Sequence, residues 1–105
     1  MNREYDSAVE IAALVKKAED ANLGYDLVRI KKAAEMCVFY HGEQKRYSGE
    51  PYYTHPFSVA GILIDLGMDT DSVIAGILHD TVEDTSATLE DVQSAFSKED
   101  RKSVV

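Results

Sequence analysis

Apolar residues recur at helical spacing along this chain, and no segment shows the strict alternation of a strand. That periodicity limits the fold to helices packed on helices, an all-α domain of about five helices. Val9, Ile11, Ala12, Leu14 and Val15 form a short amphipathic first helix, which should end near Asn22-Leu23-Gly24 with Gly24 as the breaker. Asp26 can cap a second helix reaching about Tyr40, with Leu27, Ile30, Ala33, Ala34, Cys37 and Val38 on its apolar face. A polar connection from Gly42 to Thr54 contains the turn signal Ser48-Gly49-Glu50-Pro51. Thr54 reads as the N-cap of a third helix, with Pro56 in its first turn and Gly67 as its stop. Asp69 or Thr70 starts a fourth helix carrying Val73, Ile74, Ile77, Leu78 and Val82. Thr88 with Asp91 resembles a capping box for a fifth helix ending near Phe96, followed by a polar tail from Ser97.

With 105 residues the chain is long enough for one domain and too short for two. Its net charge of −8 disfavours nucleic acid and anionic membranes as partners. Cys37 is the only cysteine, so no intramolecular disulfide forms. Met1 to Asp6 is charged rather than apolar, and the longest apolar run, Phe57 to Ile64, is far too short to span a bilayer. A cytoplasmic protein is expected.

The residues His79-Asp80-Thr81-Val82-Glu83-Asp84-Thr85 place one imidazole among three carboxylates. No Lys or Arg occurs from Tyr47 through Ser97, a stretch holding nine acids. Carboxylates gathered without cations repel one another unless a metal ion supplies the positive charge. On a wheel turning about 100° per residue, the apolar residues of the fourth helix span one arc, and His79, Asp80 and Glu83 fall on the other side. Asp84 falls nearer the apolar arc. Gly76 lies one turn before Asp80, where a missing side chain leaves room for a ligand or for another helix.

A solvated polar face is the plain alternative for these acids. Against it, acids at the C-terminal end of a helix oppose the macrodipole. In addition, His55 begins the helix that precedes the one His79 nearly ends. If the two helices pack antiparallel, His55, His79 and Asp80 converge on one ion. Imidazole with carboxylate suits Mn, Fe, Zn or a similar divalent metal. His41 reads as a capping or supporting group rather than a ligand. Cys37 reads as a small buried hydrophobe, and Tyr52 and Tyr53 as rings packed over the core. Lys45 and Arg46 are the only basic pair mid-chain, either solvated or contacting phosphate or a purine face.

Arg46 through Tyr52, then His55-Pro56, Val59-Ala60 and Leu78 through Thr85, occur in order. Together they resemble the HD hydrolase domain of the RelA/SpoT homologues, which include bifunctional long enzymes and small alarmone hydrolases. The resemblance covers about Tyr25 to Phe96. It implies an HD-type helical bundle. It also implies hydrolysis of the 3′-pyrophosphate of ppGpp or pppGpp, the alarmones of the stringent response, to GDP or GTP and pyrophosphate. Mn2+ is the usual metal it implies, with another divalent ion as the alternative. Carried over by motif, His55, His79 and Asp80 match metal ligands, and Glu83 and Asp84 match the acidic pair that positions and activates water. Arg46 and Ser48 match substrate contacts.

The chain departs from that pattern in places. Tyr47 stands where the family usually has Lys, and His41-Gly42-Glu43-Gln44 where it reads His-x-Gly-Gln. The family's fourth metal ligand, an Asp, and a nearby substrate-binding Asn come from helices well past the Glu-Asp pair, and Asp100 is too close in sequence to match that ligand. The chain is therefore expected to correspond to the N-terminal part of an HD domain, with apolar surface covered in a homo-oligomer. The alternative to a hydrolase is a non-catalytic HD module that binds nucleotide or a partner chain. A phosphohydrolase for another nucleotide is a third reading, which the Ser-Gly-Glu-Pro-Tyr loop argues against.

Overall fold

Asp6, Asp26 and Asp69 each precede a helix and accept a hydrogen bond from its first turn, at Ala8 N (2.9 Å), Arg29 N (3.2 Å) and Ser72 N (2.8 Å). Each carboxylate satisfies a backbone donor that has no partner inside its helix. In the computed structural model, which describes residues 6–42, 44–85, 87–88 and 90–95, these caps open α1 (Ser7–Ala21), α2 (Leu27–His41) and α4 (Thr70–Asp84). A short helix, α5 (90–95), follows the expected capping box: Thr88 N donates to Asp91 Oδ2 and Asp91 N to Thr88 Oγ1, both at 3.0 Å. Phe96, the tail and Asp100 lie outside the described residues, as does Glu43.

Helix α3 (Thr54–Asp65) starts differently from its expected form. Thr54 is not the N-cap. Tyr53 is, in helical backbone conformation and with no side-chain cap. The entering donors turn back three or four residues instead: Thr54 N to Pro51 O, His55 N to Tyr52 O and Phe57 N to Tyr53 O. Pro56 has no N–H to satisfy, so the helix opens without a capping side chain. The Thr54 hydroxyl donates to Pro51 O (2.9 Å) and fixes the same turn.

The C-terminal stops also have identifiable causes. Asn22, not Gly24, takes the left-handed conformation directly after α1 (φ 56°), although Gly24 has positive φ as well. After α3, Gly67 N donates to Ile64 O and Met68 N to Leu63 O, each at 3.0 Å, with Gly67 at φ 72°. These bonds satisfy the last carbonyls and turn the chain into α4.

The helices pack in the cyclic order α1–α2–α4–α3. Asp26 and Arg29 of the α2 entrance meet Thr70 and Asp71, whereas His41 at its end meets Thr81, so α2 and α4 run parallel. His55 faces Asp80 while Leu63 lies against Gly76, so α3 and α4 run antiparallel, as the convergence of His55 with Asp80 requires. Between the helices lies a core that includes Leu14, Ala18, Ile30, Ala33, Ala34, Cys37, Ala60, Ile64, Val73, Ile74, Ile77 and Leu78. The first helix buries less than its pattern implied: Leu14 and Ala18 are buried, but Val9 is exposed.

Residues 42–53 connect α2 to α3 at one end of this bundle. Residues 44–53 of that connection form an ordered hairpin rather than a plain loop. Tyr52 N donates to Gln44 O (2.9 Å), Arg46 N to Glu50 O (2.7 Å) and Gly49 N to Arg46 O (2.8 Å). Gly49, at φ 93°, supplies the left-handed residue the turn needs. No described helix is long and apolar enough to cross a membrane.

Candidate metal centre

The start of α3 and the end of α4 meet on one carboxylate. His55 Nε2 approaches Asp80 Oδ2 at 3.7 Å, and His79 Nδ1 approaches Asp80 Oδ1 at 3.2 Å. His79 Nδ1 also lies 3.7 Å from Glu83 Oε2, one turn further along α4. Asp80 is the least exposed of the four, at 22% of its side chain against 44% for His55, 68% for His79 and 62% for Glu83. A partly buried carboxylate thus sits between two imidazoles, with the outer groups open to solvent.

The antiparallel pairing produces this geometry. Asp80 lies one turn beyond Gly76 on the edge of α4 that faces α3. A Cβ at Gly76 would fall 2.6 Å from Leu63 Cδ1 and 3.4 Å from Val59 Cγ1. Of the two explanations for that glycine, room for a ligand or for another helix, the structure gives the helix. Close approach at Gly76 brings the first turn of α3, and His55 with it, up to Asp80.

Electrostatics at this end favour a cation. The last turn of α4 contains no Lys or Arg, and the macrodipole adds partial negative charge there. One donor atom each from His79, Asp80 and Glu83 fall within 4.8 Å of one another. Imidazole nitrogen with carboxylate oxygen is a donor set that divalent first-row metals accept, so the residues present fit such an ion.

The remaining expected site residues are placed less closely. Arg46 and Ser48 lie on the turn of the hairpin, where the Ser48 hydroxyl donates weakly to Glu50 Oε1 (3.4 Å). Among the described residues, no hydrogen bond or ion pair joins either to His55, His79 or Asp80. The hairpin that carries them runs directly into His55. Asp84 closes α4, but its side chain lies outside the described residues.

Behind the cluster runs a buried polar network around His41, the residue read as a capping or supporting group; its partner Thr81 was not anticipated. His41 is 3% exposed. Its Nδ1 lies 2.8 Å from Gln44 Oε1 and its Nε2 3.2 Å from Thr81 Oγ1. The ring stacks on Tyr52 at 4.5 Å between centroids. Beside Thr81, burial pushes the Cys37 thiol up to about 11. One signal was available: Thr81 falls in the middle of the apolar arc of α4, and a buried hydroxyl requires a partner. Tyr53 is buried against Phe57 and packs with the core, as expected.

Residues 33–102 match the HD domain family. The chain belongs to that family. Its relatives are of the RelA/SpoT type, as the ordered motifs implied. Over 69 residues, 66% of this chain, it is 49% identical to a guanosine-3′,5′-bis(diphosphate) 3′-pyrophosphohydrolase of Aquifex aeolicus. Over 93 residues, 88% of the chain, it is 41% identical to a GTP pyrophosphokinase of Streptomyces coelicolor. A probable guanosine-3′,5′-bis(diphosphate) 3′-pyrophosphohydrolase of Mycoplasma pneumoniae is 47% identical over 70 residues, 67% of the chain. These matches span only 10%, 11% and 10% of the relatives' own lengths. In this HD domain the His-Asp pair is His79-Asp80, and the histidine it meets from the preceding helix is His55.

Proposed function

We propose that this HD domain carries out metal-dependent hydrolysis of the 3′-pyrophosphate of ppGpp or pppGpp, releasing GDP or GTP and pyrophosphate, in the cytoplasm. The observation that carries the reading is the approach of His55 to Asp80 across the α3–α4 pair, next to His79. His55, His79 and Asp80 would hold the ion, Mn2+ or another divalent metal. When bound, such an ion neutralises pyrophosphate charge and lowers the pKa of its water.

The chain's own groups do the rest. Glu83, exposed one turn past His79, accepts a proton from the attacking water or orients it, and Asp84 acts beside it. Arg46 offers a planar guanidinium to phosphate, and Ser48 a hydroxyl, from a hairpin held open toward solvent. The acidic end of α4 repels a polyanionic substrate, so binding requires the metal.

The deciding experiment incubates Mn2+-loaded protein with ppGpp and assays pyrophosphate. Release that stops on chelation, together with weak ppGpp binding by metal-free protein, is expected. Folded, metal-bound protein that binds ppGpp without releasing pyrophosphate would favour the alternative, a non-catalytic HD module.

A further inference from the structure

His41 is a buried histidine for which the metal centre has no direct use. It closes α2, and its ring contacts reach both the hairpin and α4. An amide oxygen can only accept, so Nδ1–H donates to Gln44 Oε1, while Nε2 lies within hydrogen-bond distance of the Thr81 hydroxyl. The ring face lies on Tyr52 with an interplanar angle of 18°. Gln44 and Tyr52 are the two ends of the hairpin, paired to each other by Tyr52 N to Gln44 O. Tyr52 O in turn accepts from His55 N (3.2 Å). Thr81 follows Asp80 on α4.

One imidazole therefore touches, at one remove, both partners of the 3.7 Å approach between His55 and Asp80. Through Tyr52 it fixes the turn that delivers His55. Through Thr81 it fixes the rotation of the α4 turn that delivers Asp80. A ring held at both nitrogens and on one face has little freedom to move.

We propose that His41 is a positioning residue for the metal centre, acting through Tyr52 and Thr81 to set the separation of His55 and Asp80. The proposal rests on the reading of His55, His79 and Asp80 as metal ligands. Its test is the affinity of the full chain for Mn2+ alone, measured by titration calorimetry, with folding followed by circular dichroism. Thr81→Val removes the hydroxyl and keeps the shape, and His41→Phe keeps a ring on Tyr52 but removes both hydrogen bonds. Each is expected to lower Mn2+ affinity about tenfold, the lower end of what supporting partners of metal ligands contribute. The double variant should lose little more than the weaker-binding single, because both remove the same link. Thr81→Ser keeps the hydroxyl and should bind as the unaltered chain does.

If His41→Phe does not fold, the contrast between Thr81→Val and Thr81→Ser still decides. Folded Thr81→Val with unaltered affinity, or Thr81→Ser losing as much as Thr81→Val, overturns the positioning role and leaves the metal reading standing. An unaltered chain that binds no Mn2+ overturns both.

Discussion

The two ends of α4 use the same residue types in opposite ways. At its N-terminus, Asp69 caps the helix, and hydrogen bonds from the Ser72 side chain and backbone hold its carboxyl below the usual range. Asp71 sits in the first turn, paired with Arg29 at 2.9 Å. Both acids lie where the macrodipole is positive. At the C-terminus, Asp80, Glu83 and Asp84 lie where it is negative, with no basic residue in the last turn. One end obeys helix electrostatics and the other contravenes them. The last turn of α4 breaks a local rule with no Lys or Arg in it to offset the charge, and a bound cation would supply that offset.

The comparison breaks most clearly at Asp80. If the C-terminal acids serve a cation, Asp80→Asn should lower Mn2+ affinity more than about a hundredfold, beyond what supporting partners contribute. The metal-free variant should melt no lower than the unaltered chain, because a helix end loses an unfavourable charge. Calorimetric titration and thermal melts check both halves. Unchanged Mn2+ affinity, or a melting temperature that collapses, would mean that Asp80 is structural.

Much of that contrast was legible in the sequence. Asp26 and Asp69 are caps because short acidic side chains reach the orphan donors of the next turn, a local interaction. Helical periodicity put His79, Asp80 and Glu83 on one side, and a short connection made α3 and α4 antiparallel, which was enough to bring His55 to Asp80. What escaped was non-local. The entrance of α3 is set by backbone bonds within a folded hairpin, so Thr54 is not its cap. The partner that buried His41 finds on α4, Thr81, lies forty positions away. For Gly76 two readings stayed open, room for a ligand or for another helix, because the pattern of one helix does not say where its neighbour lies.

Gly76, midway along α4, sharpens the comparison at an intermediate scale. In an unobstructed helix interior, Gly to Ala gains roughly 1 kcal/mol. Here the new Cβ would meet Leu63 Cδ1 at 2.6 Å, and forcing extra volume into packed side chains costs about 1–3 kcal/mol. Gly76→Ala is therefore expected to destabilise by about 1 kcal/mol in urea denaturation. In a Leu63→Ala background the obstruction is gone, and the same substitution should stabilise. A stabilising Gly76→Ala in the unaltered chain would show that α3 does not press on α4 there, and would remove the reason given for the approach of His55 to Asp80.

The smallest effect tests the two ends against each other directly. Asp71 and Glu83 are both largely exposed, at 79% and 62% of their side chains, so differences in burial contribute little to the contrast. Asp71→Asn removes a favourable dipole interaction and an exposed ion pair, and should cost about 0.3–1 kcal/mol in low salt. Glu83→Gln in metal-free protein at pH 8 removes an unfavourable dipole interaction, and should gain roughly 0.3 kcal/mol or more. Raising the salt to about 1 M, where the screening length is near 3 Å, should shrink both differences. Opposite signs at pH 8 that converge in salt are what an electrostatically asymmetric helix requires, whereas equal signs would place the contrast in packing rather than in charge.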